Sequence, residues 1–237
     1  MPGRPLLPLT VSVDPAAAAA VPWLHDALAR MRRHLVLKSL GLTVFMSIFF
    51  IGYFHLLRHP SHGVTVMPLT ALDHWISFRP TALLAYVSLW IYVGIPPMLM
   101  RQRRELVEYM LWIGALCVTG LACFYLWPTA VPVQALDLGD HPGFAMLQGV
   151  DAAGNACPSL HVATASFTAV WVDRLLRELK AGRAARLLNW AWLVAIAYST
   201  LAIKQHVVWD VAAGAALGLV FALAYRPRRL ASAASTL

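Results

Sequence analysis

Charged side chains are scarce in this 237-residue sequence, where only 13% of the residues are charged and 59% are hydrophobic. A soluble domain has about 25% charged residues, which cover its surface. So few charges cannot keep a surface of this size in water, and lipid must therefore solvate much of it. The composition excludes an ordinary cytosolic enzyme and predicts an integral membrane protein.

Acidic residues and cysteines are also few. The 11 Asp and Glu residues face 19 Lys and Arg residues, which gives a formal net charge of +8. The basic residues form short clusters between apolar runs rather than one stripe, so we expect no nucleic-acid partner. Cys117, Cys123 and Cys157 lack metal-type spacing, so we expect no disulfide framework and no zinc site. We also expect no cofactor.

Long apolar runs dominate what is present. A helix needs about 20 apolar residues, each rising 1.5 Å, to cross the hydrocarbon core. Six runs approach this length, and they predict an all-α polytopic membrane protein with six transmembrane helices. We expect residues 1–30 to form a disordered cytoplasmic tail, residues 31–228 the six-span domain and residues 229–237 a second tail. The predicted spans are residues 35–57, 81–100, 109–127, 159–176, 187–203 and 207–225.

The basic residues also predict the orientation, since short loops rich in Lys and Arg stay in the cytoplasm. With both termini in the cytoplasm, all but three of the 19 basic residues lie on that side. The exceptions are Arg58, Arg79 and Lys204; Arg58 is interpreted as an interfacial anchor. This pattern fits a bacterial inner membrane in which the face opposite the cytoplasm, where we expect the functional site, is periplasmic. It fits equally an endomembrane protein whose site faces the lumen.

One polar segment at the outer face is Pro158-Ser159-Leu160-His161, which leads into an apolar helix. Proline suits the first turn of a helix and serine is a good N-cap. The free N–H groups of such a terminus bind anions, and His161 is placed to hold or give a proton beside one. A capping serine beside an interfacial histidine is the alternative.

A second segment places His206 and Asp210 four residues apart, so they share one face of a helix. The aspartate can hold one ring nitrogen and leave the other free as a nucleophile or base. Two alternatives remain open: a buried ion pair between helices, and a divalent metal bound by these residues with His161.

Together these residues resemble the type 2 phosphatidic acid phosphatase superfamily, over about residues 73–220. The resemblance implies a membrane enzyme that hydrolyses or transfers lipid phosphate groups through a phosphohistidine, without a metal. The matching residues are Arg79, Pro80, Pro158, Ser159, His161, Ser199, His206 and Asp210.

The resemblance also implies a role for each residue. His206 would attack phosphorus, Asp210 would orient it, and His161 would protonate the leaving oxygen. The phosphate oxygens would be held by Arg79, Ser159, Ser199 and the backbone N–H groups near Leu160.

Three positions depart from the family pattern. Leu72 replaces a lysine, Leu160 a glycine and Thr200 an arginine. The site has thus lost two cations, and Lys204 would restore one charge at the substrate.

The pattern looks more like the branch that contains inositol phosphorylceramide synthases. A site with fewer cations suits a singly charged phosphodiester donor, so both a lipid phosphate and a lipid phosphodiester are candidate substrates. A non-catalytic membrane protein that binds or transports a lipid headgroup is the alternative.

Overall fold

The computed structural model describes residues 22–133 and 154–225, and 74% of these residues are helical. The expected helical class is therefore confirmed, with one small parallel sheet added. In chain order the elements are α1 (Pro22–Arg32), α2 (Leu35–Arg58), β1 (Thr65–Val66), α3 (Ala71–Trp75), a 3₁₀ turn (Pro80–Ala82), α4 (Leu83–Val87), α5 (Leu89–Tyr92), α6 (Ile95–Leu99), α7 (Arg103–Leu126), β2 (Thr129–Ala130), α8 (Leu160–Glu178), α9 (Arg183–Ala202) and α10 (Val208–Ala224).

Within the described ranges, α2 and α7 are the two helices that are long and apolar enough to cross a membrane. Each has 24 residues, which corresponds to about 36 Å of helix. The stretch Pro80–Tyr92 and α10 are apolar but shorter. The count of six crossings stays a prediction.

The second predicted span differs from the structure. Residues 81–100 do not form one continuous helix but the end of a 3₁₀ turn followed by α4, α5 and α6. Pro96 and Pro97 lie in the first turn of α6 and have no N–H to continue a preceding helix. The apolar run therefore breaks into short helices beside the cavity described below.

The predicted N-terminal tail also differs, because its last part, from Pro22, belongs to α1. Arg30 is buried and pairs with Asp26 at 3.1 Å and with Glu178 of α8 at 2.9 Å. A contact so distant in sequence stabilises a helix that local composition does not predict. Residues 1–21 and the second predicted tail, residues 229–237, lie outside the described residues.

The helix α8 lies at the centre of the fold and packs closely against α10. A Cβ atom added to Gly214 would lie 2.3 Å from the carbonyl oxygen of Ser159, and one added to Gly218 would lie 2.2 Å from that of Ala163. Only glycine allows the two backbones to approach this closely. The packing brings the two polar segments of the sequence together.

Candidate active site

His206 lies in the short connection between α9 and α10, and Asp210 lies in the first turn of α10. The His206 side chain is 11% exposed, whereas Asp210 is fully buried. Asp210 Oδ2 accepts a hydrogen bond of 3.0 Å from the N–H of Val207 and lies 3.5 Å from His206 Nδ1. The structure thus places the carboxylate beside the ring, but because His206 lies before α10, the two residues do not share a helix face as the four-residue spacing predicts.

The contact between these two side chains is close enough for an ion pair but too long for a good hydrogen bond. Neither His206 Nδ1 nor Asp210 Oδ1 has a hydrogen-bond partner within the described residues. Buried groups left unpaired in this way need an explanation, and catalytic hydrogen bonds are often long until substrate binds.

His161 lies in the first turn of α8 and is buried. Its Nε2 is 2.9 Å from the carbonyl oxygen of Tyr86, and its ring stacks on the Tyr86 ring with centroids 3.9 Å apart. A carbonyl oxygen only accepts, so Nε2 of His161 is a donor in this arrangement. No local pattern in the sequence indicates Tyr86, because its contact with His161 depends on how the broken helix that contains Tyr86 packs against α8.

Both histidines line a single cavity of about 1080 Å³. Apart from the histidines and a few other polar groups, its wall is made of apolar and aromatic side chains from α2, α4, α5 and α7. A ligand with an apolar body and a polar head at the histidines matches this distribution. Wall residues include Phe49, Phe50, Leu89, Trp90 and Ile113.

Ser159 connects the two polar segments. Its hydroxyl accepts a hydrogen bond of 3.2 Å from the N–H of Val162, which confirms the predicted N-cap of α8. Its own N–H donates to the carbonyl oxygen of Asp210 at 3.0 Å. The first turn of α8 is therefore tied to the first turn of α10.

Leu160 stands where the family pattern has glycine, and its side chain lies over Gly120 of α7. A Cβ atom on Gly120 would lie 2.3 Å from Leu160 Cδ2. The leucine fits because α7 has no side chain at that point, and it contributes to the wall of the cavity.

Two other predicted site residues, Ser199 and Arg79, are not among the residues that line the cavity. Ser199 is buried, and its hydroxyl donates to the carbonyl oxygen of Ile196 in its own helix at 2.6 Å. The side chain of Arg79 is exposed and makes no ion pair within the described part of the chain, while its backbone N–H donates to Ala202 at 2.9 Å.

Lys204 makes a contact that the sequence did not indicate. Its Nζ donates to the carbonyl oxygens of Asp73, at 2.9 Å, and of Ile76. Burial lowers the pKa of Lys204, and the negative charge of Asp73 partly offsets this effect. The charge proposed to replace a missing cation thus lies against the end of α3.

Asp73 is a buried residue that the sequence reasoning missed. Its Oδ2 accepts hydrogen bonds of 2.7 Å from the N–H and the hydroxyl of Thr70, while its Oδ1 accepts one of 2.9 Å from the N–H of Val208. The spacing of Thr70 and Asp73 is that of a capping box and signals the start of α3. No local signal indicates the contact with Val208, which is 135 residues away.

A family model described as the PAP2 superfamily matches residues 65–224, more than half of the chain. The chain belongs to the PAP2 superfamily. The resemblance over residues 73–220 is thereby confirmed at the level of the superfamily. No curated protein and no solved structure matches the chain significantly.

Members of the PAP2 superfamily are typically phosphatases, and membership indicates phosphatase or phosphotransferase activity. Membership and the apolar helices together indicate a membrane protein. Of the residues that matched the PAP2 pattern, the structure brings His161, His206, Asp210 and Ser159 together, whereas the Arg79 side chain is exposed.

Proposed function

We propose that the chain is a metal-independent membrane enzyme that cleaves or transfers the phosphate or phosphorylated headgroup of a lipid, through a phosphohistidine at His206. One observation supports this most strongly. His206 and His161 line the same apolar cavity, and the buried carboxylate of Asp210 lies beside His206 Nδ1.

In the first step of the proposed reaction, His206 Nε2 attacks phosphorus in line. The new N–P bond replaces the P–O bond to the leaving group, and the protonated ring of His161 gives a proton to the departing oxygen and becomes neutral. Asp210 holds the proton on His206 Nδ1 and stabilises the positive ring that forms. General acid catalysis of this kind contributes about 10²- to 10⁴-fold.

In the second step, water or an acceptor alcohol attacks the phosphohistidine. The neutral His161 now takes the proton of the attacking hydroxyl, and the N–P bond breaks to release the product and restore His206. Water gives hydrolysis and an alcohol gives transfer, so the acceptor that reaches the cavity decides the outcome.

The cavity supports a lipid substrate, because its wall is apolar everywhere except near the histidines and a few polar groups. The missing cations support a singly charged phosphodiester donor. Neither position supplies a charge: Leu72 is half-exposed, and Thr200 is buried with its hydroxyl donating a hydrogen bond of 2.8 Å to the carbonyl oxygen of Ala197. We therefore propose headgroup transfer of the inositol phosphorylceramide synthase type as the favoured variant, with hydrolysis of a lipid phosphate as the other.

We also propose six crossings with both termini in the cytoplasm and the site at the opposite face, which is the periplasmic face if the membrane is a bacterial inner membrane. The distribution of Lys and Arg supports this orientation.

The test is to incubate the purified protein, in a strong chelator, with a panel of lipid phosphates and phosphodiesters. Free phosphate and new lipid species are both assayed, with His206→Ala as the control. We expect one of these products from the wild type and none from the variant. Turnover that stops in the chelator would contradict metal independence, and the absence of any product would contradict catalysis.

A lipid-headgroup-binding or transport protein is a second candidate, favoured by the absence of cations at Leu72 and Thr200. Vanadate separates the two candidates because it mimics pentacoordinate phosphorus. Inhibition of turnover by vanadate supports the enzyme, whereas lipid binding that vanadate leaves unchanged, without turnover, supports the binding protein.

A further inference from the structure

Residues 70–76 and residues 204–208 are far apart in sequence but are joined by hydrogen bonds. Each bond links a side chain of one segment to the backbone of the other, and the bonds lie on both sides of His206. Lys204 precedes His206 by two residues and donates to two carbonyl oxygens of the first segment. Val208 follows His206 by two residues and donates to the carboxylate of Asp73. We propose that Asp73 and Lys204 are positioning residues that hold His206 in line for attack, an inference that rests on the proposed function.

On the side of Lys204, the backbone adopts the left-handed conformation, with φ of 61°. Residues other than glycine rarely adopt this conformation, and it persists where surrounding contacts stabilise it. The ammonium group supplies such contacts, because it bonds to carbonyl oxygens near the C-terminal end of α3. The turn that leads into His206 is therefore held through this side chain.

On the side of Val208, two carboxylates hold neighbouring amides. Asp210 accepts from the N–H of Val207 at 3.0 Å, and Asp73 accepts from the N–H of Val208 at 2.9 Å. Negative groups at the N-terminus of a helix also interact favourably with its dipole. Because Asp73 is buried and bonded to Thr70 through its other oxygen, it fixes the first turn of α10 to a separate part of the chain.

The backbone of His206 itself makes a local bond. Its N–H and that of Gln205 both donate to the carbonyl oxygen of Thr200, at 3.2 and 3.0 Å. These bonds shape the turn but do not connect it to another part of the fold. Asp73 and Lys204 make that connection, and so they act on the rate of attack by His206 rather than on capture of the substrate.

The first experiment measures kcat and KM of Asp73→Ala, Lys204→Met and the double variant, on the lipid that the wild type turns over. A misplacement of about 1 Å can cost about 100-fold. We expect kcat to fall by about this factor in each single variant, with little change in KM. The kcat of the double variant should be no lower than that of the less active single variant. Leu72→Ala, a half-exposed neighbour, is the control and should keep the wild-type kcat.

Two results would overturn the proposal. A rise in KM at unchanged kcat in Lys204→Met would mean that Lys204 captures substrate, and multiplied losses in the double variant would mean that the two residues act separately. Asp73→Asn keeps one oxygen that can accept from Val208, so it should recover part of the kcat lost in Asp73→Ala. If Asp73→Ala does not fold, the kcat of Asp73→Asn can still be compared with that of the wild type.

Amide hydrogen exchange of residues 204–210 measures how firmly this segment is held by residues 70–76, and it does not require turnover. We expect faster exchange there in Asp73→Ala and Lys204→Met than in the wild type, with an intermediate rate in Asp73→Asn. Wild-type exchange in both Asp73→Ala and Lys204→Met would overturn the proposed contact. If the wild type shows no turnover while exchange responds as expected, the proposed function fails and the contact stands.

Discussion

The N–H of Ser159 donates a hydrogen bond of 3.0 Å to the carbonyl oxygen of Asp210. This bond joins the first turn of α8, which contains His161, to the first turn of α10, which follows His206. The close approach at Gly214 extends the same contact. The spacing of the proposed acid and nucleophile therefore depends on how α8 packs against α10.

The variant Gly214→Ala tests this dependence. The new methyl group would lie 2.3 Å from the carbonyl oxygen of Ser159, a backbone atom, so the two helices must separate. We expect a loss of about 1–3 kcal/mol in stability, read as a lower melting temperature in detergent, and a marked loss of kcat. Gly41→Ala is the matched control, since nothing lies within 4 Å of a Cβ atom at that position. Unchanged kcat in Gly214→Ala would show that catalysis does not depend on the close approach of α8 and α10.

Replacing Asp210 by asparagine should lower the rate far more than the stability. The amide oxygen can still accept from the N–H of Val207, but the charge beside His206 Nδ1 is lost. In catalytic triads a change of this kind costs about 10⁴-fold in kcat. Kinetics and melting curves check the prediction. A protein that unfolds but whose remaining folded fraction has the normal rate would support the ion-pair interpretation instead.

The variant His161→Gln should show a loss that depends on the leaving group. Against a natural lipid, whose leaving oxygen needs a proton, we expect about 10²- to 10⁴-fold lower kcat. Against an aryl phosphate analogue, whose leaving group departs as an anion, the loss should be much smaller. Parallel kinetics with both substrates make the comparison. Equal losses would remove His161 from the acid role.

Several features of this site follow from local sequence alone. Ser159 predicts the cap of α8, and the structure has it. The spacing of His206 and Asp210 predicts a shared helix face; the structure brings the two side chains within 3.5 Å, but His206 lies in the connection before α10 and not on a helix. Both contacts are predictable because each joins residues that are close in sequence.

Other features depend on contacts across the fold. The helix α1 is stabilised by Arg30 against Glu178, and Asp73 reaches the N–H of Val208 across 135 residues. Hydropathy also misses the breaks in residues 81–100, because Pro96 and Pro97 interrupt a run that stays apolar throughout. No local pattern in the sequence contains the two contacts across the fold, whereas the prolines are a local signal that hydropathy alone does not register.

The orientation can be tested with single cysteines in a background without native cysteine. His62→Cys, in the exposed loop after α2, should react with an impermeant maleimide added outside intact cells or spheroplasts. Arg103→Cys, exposed at the start of α7, should react only after the membrane is opened. The reverse pattern would invert the proposed orientation, and labelling of both from one side would contradict the crossing between them.

Trapping the covalent intermediate tests whether His206 attacks phosphorus. The purified protein is given a turned-over lipid labelled in its phosphate, quenched within one turnover, kept at alkaline pH and digested for peptide mapping. We expect an acid-labile phosphoryl or phosphodiester group on the His206 peptide. The group should be absent from His206→Ala, and it should be more abundant in His161→Gln if removal of the group becomes rate-limiting. Continued turnover with no label on the protein, or with label on another residue, would contradict attack by His206.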